Sequence, residues 1–275
     1  MLIGVSKIGK IDRIAESLRI IRAGEEHGAV FRMIGGLAIR AHCEDLQFCE
    51  REYGDIDLVA LGRQTVKIRS TLESIGYTED REIARATDGT RLLFQREDSD
   101  DHVDVFLDKL RMEHTINLQE RLEIEELTIS VSDILVTKLI IHVMNEKDYR
   151  DIFTIMKETE LGHEDKRGAI NVNYIASLCS KDWALYFDIL ANIDECLSVI
   201  DHYSLSEVES NLIRSRFQTI KDAIQKKPKT LKWKLRSLLG ERLTVRETVE
   251  EEDLDVSDLS SELSHSEIED ILDES

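Results

Sequence analysis

Apolar residues recur at helical spacing near the start of the chain. Ile11, Ile14, Ala15, Leu18 and Ile21 fall on one face, and Gly28 is a natural stop, so the pattern predicts a helix over 11–27. A strand is expected over 29–34, a helix over 36–50 and a strand over 55–61. A further helix over Arg63–Ile75 ends at Gly76. Short strand-like runs follow at Tyr77–Ala84, Arg91–Gln95 and Asp101–Leu107. Asp88-Gly89 reads as a hairpin turn between the first two. Leu122–Val131 reads as a last extended segment. From Ser132, taken as an N-cap, the period becomes 3.6 and stays helical over 171–227, with stripes such as Ile189, Ile193 and Leu197. Alternating helices and strands, then consecutive strands, then helices make an α+β chain with a mixed sheet followed by a helical domain.

Two stretches in the first part carry chemistry. In Gly54-Asp55-Ile56-Asp57-Leu58 the aspartates alternate with apolar residues, so Asp55 and Asp57 project from one face of the strand. Adjacent carboxylates repel unless a cation or proton lies between them, which suits a hard, oxygen-seeking ion such as Mg²⁺ or Mn²⁺. Upstream, Gly35-Gly36 lies between a strand and a helix, where glycine lets backbone N–H groups approach a phosphate.

A Gly-Gly turn followed by Asp-x-Asp on a strand resembles the signature of the nucleotidyltransferase superfamily with the DNA polymerase β-like catalytic fold. The resemblance implies a third carboxylate on a later strand. Asp101-His102-Val103-Asp104-Val105-Phe106-Leu107-Asp108 supplies it, with Asp104 central on the face opposite Val103, Val105 and Leu107. Asp101 and Asp108 are weaker alternatives near the strand ends. The sequence departs from the family in two ways. Gly36 to Asp55 is a longer spacer than usual, and the second glycine stands where a serine is more common.

A narrower likeness covers the following helix. Leu135, Lys138 and Leu139, then Lys147, Asp148 and Asp151, resemble the abortive-infection type nucleotidyltransferases, which include toxins of toxin–antitoxin pairs. The resemblance implies that Lys138 extends its ammonium to the triphosphate; the bland alternative is a lysine snorkelling to solvent. Asp148 and Asp151, three apart on one helix face, are expected to orient Lys138, Lys147 or Arg150 rather than touch substrate.

Net charge changes the picture of the C-terminal end. The chain carries −20 overall, but unevenly. A basic stretch over 214–246, with Trp233 interleaved, tilts the reading toward RNA as a partner. After Arg246 there is no Lys or Arg, and 247–275 reads as an acidic, disordered tail, a candidate docking segment for a partner protein or for the basic stretch. The expected domains are therefore a palm over 1–131, a helical domain over 132–246 and the tail over 247–275. The four cysteines lack zinc-type spacing and read as reduced thiols. No apolar run is long enough to span a bilayer and no signal peptide is evident, so a cytoplasmic protein is expected.

These readings converge on one expectation. Asp55, Asp57 and Asp104 hold Mg²⁺ or Mn²⁺, Gly35, Gly36 and Lys138 hold the triphosphate of an NTP such as ATP, and a nucleoside monophosphate passes to an acceptor. The acceptor would be an RNA 3′ end, a protein or a small molecule, and the protein a toxin of a toxin–antitoxin pair. The alternative is a catalytically silent nucleotidyltransferase fold that binds or regulates.

Overall fold

The structure is a computed structural model and describes residues 12–49, 51, 53–96 and 102–239. Asp101, the end of the basic stretch and the acidic tail lie outside these residues. The chain divides into two compact units. The first takes the residues up to Arg111 with Thr115–Ile134; the second takes Met112–His114 and the chain from Leu135 onward. The sequence reading put Met112–His114 in the palm.

The first unit is α+β. Helix α1 (Arg13–His27) begins where the Asp12 carboxylate accepts from the Ile14 and Ala15 N–H groups, and ends at Gly28, whose φ is +71°. Strand β1 (Phe31–Met33) leads into helix α2 (Gly35–Ala41), then the short helix α3 (Leu46–Cys49), strand β2 (Ile56–Ala60) and helix α4 (Thr65–Ser74). Next come β3 (Thr78–Asp80), α5 (Arg81–Ala86), β4 (Arg91–Gln95) and β5 (His102–Leu107). A small hairpin of β6 (Lys109–Arg111) and β7 (Thr115–Asn117) follows. The main sheet has five strands in the order β1-β2-β5-β4-β3. Only β2 and β5 run parallel; the other neighbours are antiparallel. Leu58, Val103, Val105, Leu92 and Phe94 are fully buried, which fixes the register of the central strands.

Several expectations are corrected. The helix expected over 36–50 is two helices, because the chain turns at His42–Asp45. That turn brings the Cys43 and Cys49 Cα atoms to 6.7 Å and joins them in a disulfide, so these two are not the reduced thiols expected. Cys179 and Cys196 are free and buried. Within the run Tyr77–Ala84, only Thr78–Asp80 is strand. The Asp80 carboxylate caps the Glu82 N–H and starts α5, so Asp88-Gly89 joins a helix to a strand. Of the expected strand Leu122–Val131, Leu122–Ser130 is turn and coil, with a parallel bridge from Thr128 to Met33, and Val131 already begins the next helix.

Helix α6 (Val131–Leu139) crosses the division between units. Its start is capped by the Ser130 hydroxyl, which accepts from the Asp133 N–H at 3.2 Å, rather than by Ser132. The second unit continues with α7 (Glu146–Glu158) and a parallel strand pair, β8 (Glu160–Gly162) with β9 (Ala169–Asn171). Then follow α8 (Val172–Lys181), α9 (Trp183–Val199), α10 (Glu207–Lys226) and α11 (Leu231–Leu239). Asn145, Asn171, Asp182 and Ser206 cap α7 to α10 in turn. Ile152, Phe153, Ile175, Ile189, Ile193 and Phe217 are fully buried in its core. Asn192 Nδ2 donates to the Leu139 and Ile141 carbonyls at 2.7 and 2.9 Å, satisfying orphan groups at the end of α6.

Candidate active site

The parallel register of β2 and β5 pairs Asp57 with Asp104. Neighbouring strands lie about 4.8 Å apart, so the two side chains leave the same face side by side. Their flanking residues, Ile56, Leu58, Val103 and Val105, are buried on the opposite face. The same spacing sets a second rung. Asp55 lies two residues before Asp57 and His102 two before Asp104, and His102 Nε2 stands 3.2 Å from Asp55 Oδ1. Asp55 precedes β2 and is exposed. The motif thus holds three carboxylates on one sheet face, with Asp57 and Asp104 the closer pair.

Charge within this group is uneven. The Asp57 carboxyl is pushed up from 3.8 to about 6, chiefly by burial, then by Asp104 and Asp55, against the opposing pull of His102 and Arg91. Asp104 is itself buried, with 4% of the residue exposed, and is neutralised by Arg91 of β4. Arg91 Nε donates to both Asp104 oxygens, at 2.8 and 2.9 Å, and Nη2 donates to Oδ2. The carboxylate in turn raises the Arg91 pKa. In the antiparallel register Arg91 faces Phe106, which places Asp104 diagonally across the strand pair.

The Gly-Gly turn adjoins this group. The Ile34 N–H donates to the Asp57 carbonyl at 3.1 Å, tying the turn to the strand that carries the aspartate. Gly35 has φ of +61°, and a Cβ there would stand 3.5 Å from Asp57 Oδ2. Gly36 is needed for a different reason: a Cβ would meet the Arg51 Nη2 at 2.3 Å and Tyr53 Cδ1 at 3.2 Å. The long spacer therefore returns a guanidinium to the turn, packed 4.7 Å from the Tyr53 ring centroid. The two glycines should behave differently. Gly35→Ala forces a left-handed alanine and is expected to lose about 1–2 kcal/mol in urea denaturation. Gly36→Ala displaces the Arg51 guanidinium and presses the Tyr53 ring by a few tenths of an ångström, without backbone strain, and should lose less than about half of that. Equal losses would contradict this account of the turn.

The other sequence-predicted residues separate into clear groups. Asp108 sits in a left-handed turn, φ +62°, and its carboxylate accepts from the Gly62 N–H at 3.0 Å, which is a structural task. Lys138 belongs to the second unit, where its ammonium lies 2.9 Å from Asp148 and 2.8 Å from Asp151. With 12% of its side chain exposed, it does not snorkel to solvent. Asp148 also accepts from the Asn145 N–H, closing the capping box of α7. In the basic stretch, Arg214 pairs with Asp201, Lys221 with Asp194, and Arg216 donates to the Met156 and Lys157 carbonyls. Lys226 pairs with Asp222 at 3.2 Å, and the segment that follows, Lys227 to Arg236, contains no acidic residue. Within it Lys229 lies over Tyr186 and Trp233, and Arg236 over Trp183.

Arg91, His102 and Arg51 are the site residues that motif reading missed. The available signal for the first two was pairing: β4 and β5 were both recognisable as strands, and Arg91 and His102 are the basic side chains they contribute to the face bearing Asp104. As a donor set, the carboxylates suit a hard divalent cation, and the suppressed acidity of Asp57 is what a second positive charge would relieve. Both oxygens of Asp104 face Arg91, however, and among the described residues no three His, Cys, Asp or Glu side chains already stand in a metal-holding arrangement. Among the described residues no helix is long and apolar enough to cross a membrane. No protein-family model and no curated protein matches this chain.

Proposed function

We propose that this chain is a Mg²⁺- or Mn²⁺-dependent nucleotidyltransferase. The observation that carries the reading is the pairing of Asp57 with Asp104 across parallel strands, with proton affinity raised at Asp57. The sheet supports it: it is mixed, as the palm resemblance implies, with β1 antiparallel and β5 parallel to β2. Asp57 and Asp104, with Asp55, would hold the divalent cation, whose charge would stabilise the α-phosphate and the acceptor oxygen when bound. Asp104 favours loss of the proton from the attacking hydroxyl. That oxygen bonds to the α-phosphorus as the bond to the β-phosphate breaks and pyrophosphate leaves. Backbone N–H groups at Gly35 and Gly36 receive the β- and γ-phosphates. The narrower resemblance implies a triphosphate role for Lys138, with Asp148 and Asp151 orienting its ammonium. The fold is read as a nucleotidyltransferase palm followed by a helical domain.

RNA is the favoured acceptor, because Lys227 to Arg236 combines cations with aromatic rings and no acids. A toxin role within a toxin–antitoxin pair follows from the narrower resemblance. NTPs labelled at the α-phosphate test the activity: label should pass to bulk tRNA with Mg²⁺ and not with EDTA. Transfer instead to the protein itself or to an aminoglycoside keeps the reaction and replaces the acceptor. A second reading, the silent binding module, is favoured by one observation, the arginine already lodged on Asp104. Absence of transfer from every NTP to every acceptor class would select it.

A further inference from the structure

Arg91 meets Asp104 in an asymmetric way. The carboxylate is fixed on a central strand with 6% of its side chain exposed, while the arginine side chain is 43% exposed. Its guanidinium carbon also lies 5.5 Å from the centroid of Phe106, its direct cross-strand partner, so an aromatic face stands next to the acid it now holds. Asp104 has both oxygens engaged by one planar fork. A divalent ion on those same oxygens would crowd a unit positive charge against a double one, so the two cations exclude each other.

We infer that Arg91 is a resident cation on Asp104 that a divalent cation displaces, and that the freed guanidinium then serves the anionic phosphates on the same sheet face. The inference rests on the reading of Asp55, Asp57 and Asp104 as a divalent-cation site. Without metal, the arginine keeps Asp104 neutralised and lets the paired strands carry a buried acid beside a half-buried one. With metal, the carboxylate changes partners while the strand stays put, and the exposed arginine side chain is the part that moves. Arg91 is thus a positioning residue for Asp104. Metal binding pays for the exchange, so the apparent affinity of the intact protein is weaker than its carboxylates alone would give.

Mn²⁺ binding, followed by the loss of its free electron-spin signal, tests this on the full chain at one fixed pH. An opposite charge at hydrogen-bond distance alters the cation affinity of a carboxylate by about ten- to a thousandfold. Arg91→Gln, which keeps a polar side chain and removes the charge, should therefore bind Mn²⁺ at least about tenfold more tightly than the parent. Arg91→Lys cannot form the two-pronged contact and should tighten binding by a smaller factor. It also serves as the readout if Arg91→Gln does not fold. With Asp104→Asn as background, Arg91→Gln should give no gain, because the shared carboxylate is gone. Equal or weaker Mn²⁺ binding in both arginine variants, with binding by the parent still sensitive to Asp57→Asn, would overturn the exchange and leave the metal site standing. No Mn²⁺ binding by the parent or either arginine variant would overturn both.

Discussion

Asp57→Asn is expected to lose nucleotidyl transfer by about a hundred- to a thousandfold while melting higher than the parent at neutral pH. The loss follows from removing a charged group aimed at the reacting centre, an effect of that order where a preorganised electrostatic element is deleted. The gain follows from proton affinity. The Asp57 carboxyl titrates near 6 in the folded protein against 3.8 ordinarily, and burial is the main cause. A group whose folded pKa is raised contributes its stability below the unfolded value and loses it as pH climbs through the folded value. The window is therefore about 4 to 6, and above it the ionised, crowded carboxylate burdens the fold. Each tenfold change in proton affinity is worth about 1.4 kcal/mol, so the burden is on the order of 2–3 kcal/mol. Asparagine carries no charge and escapes it. Thermal denaturation in EDTA should show the variant ahead of the parent at pH 7.5 and level with it near pH 4. A variant that melts below the parent at neutral pH would contradict the electrostatic account of the pair.

The second large effect is expected from Lys138→Ala, and it is structural. Lys138, Asp148 and Asp151 expose 12%, 9% and 4% of their side chains, so one cation balances two buried carboxylates. Removing it takes away the cation that stands 2.9 and 2.8 Å from two buried like charges three residues apart on α7. Breaking a buried ion pair by deleting one partner costs about 3–5 kcal/mol, and urea denaturation of the variant should fall in that range. Lys138→Arg keeps the charge and should lose less. Adding Asp148→Asn and Asp151→Asn to Lys138→Ala removes the two neighbouring charges and should restore part of the loss, a coupling that a cycle of variants measures directly. A Lys138→Ala protein as stable as the parent would mean that the triad contributes nothing to the second unit. Any change in nucleotide binding by these variants has to be read against this stability change, because the lysine is already committed to two acids.

The sequence made some of this legible and not the rest, for identifiable reasons. Helix α1 and strands β2, β4 and β5 were readable because their apolar residues keep one period from cap to stop. Asp57 and Asp104 were readable because alternation alone sends them to the face opposite buried valines and leucines. The break of the helix at His42–Asp45 was not, since the apolar residues resume at Phe48 and the bend is held by the Cys43–Cys49 bridge. Helix α5 was hidden by its length, six residues started by one capping aspartate. The parallel pair β8–β9 was hidden likewise, each strand having three residues. Arg91 escaped because its importance arises from cross-strand register: facing Phe106, it reaches the acid two residues away. Asp148 and Asp151 read as support for Lys138, Lys147 or Arg150, and it is the Lys138 ammonium that lies beside both. Its burial was not foreseen, because a lysine amid leucines and isoleucines reads equally as snorkelling or enclosed.

The most direct measurement of the central claim is pyrophosphate release from each NTP by the intact protein, with Mg²⁺ or EDTA and with or without bulk tRNA. The comparison set is Asp57→Asn and Asp104→Asn, both checked for folding. The account predicts Mg²⁺-dependent release, raised by tRNA, that both variants lose. Release that persists undiminished in both folded variants, or none from the parent with any NTP, would contradict it.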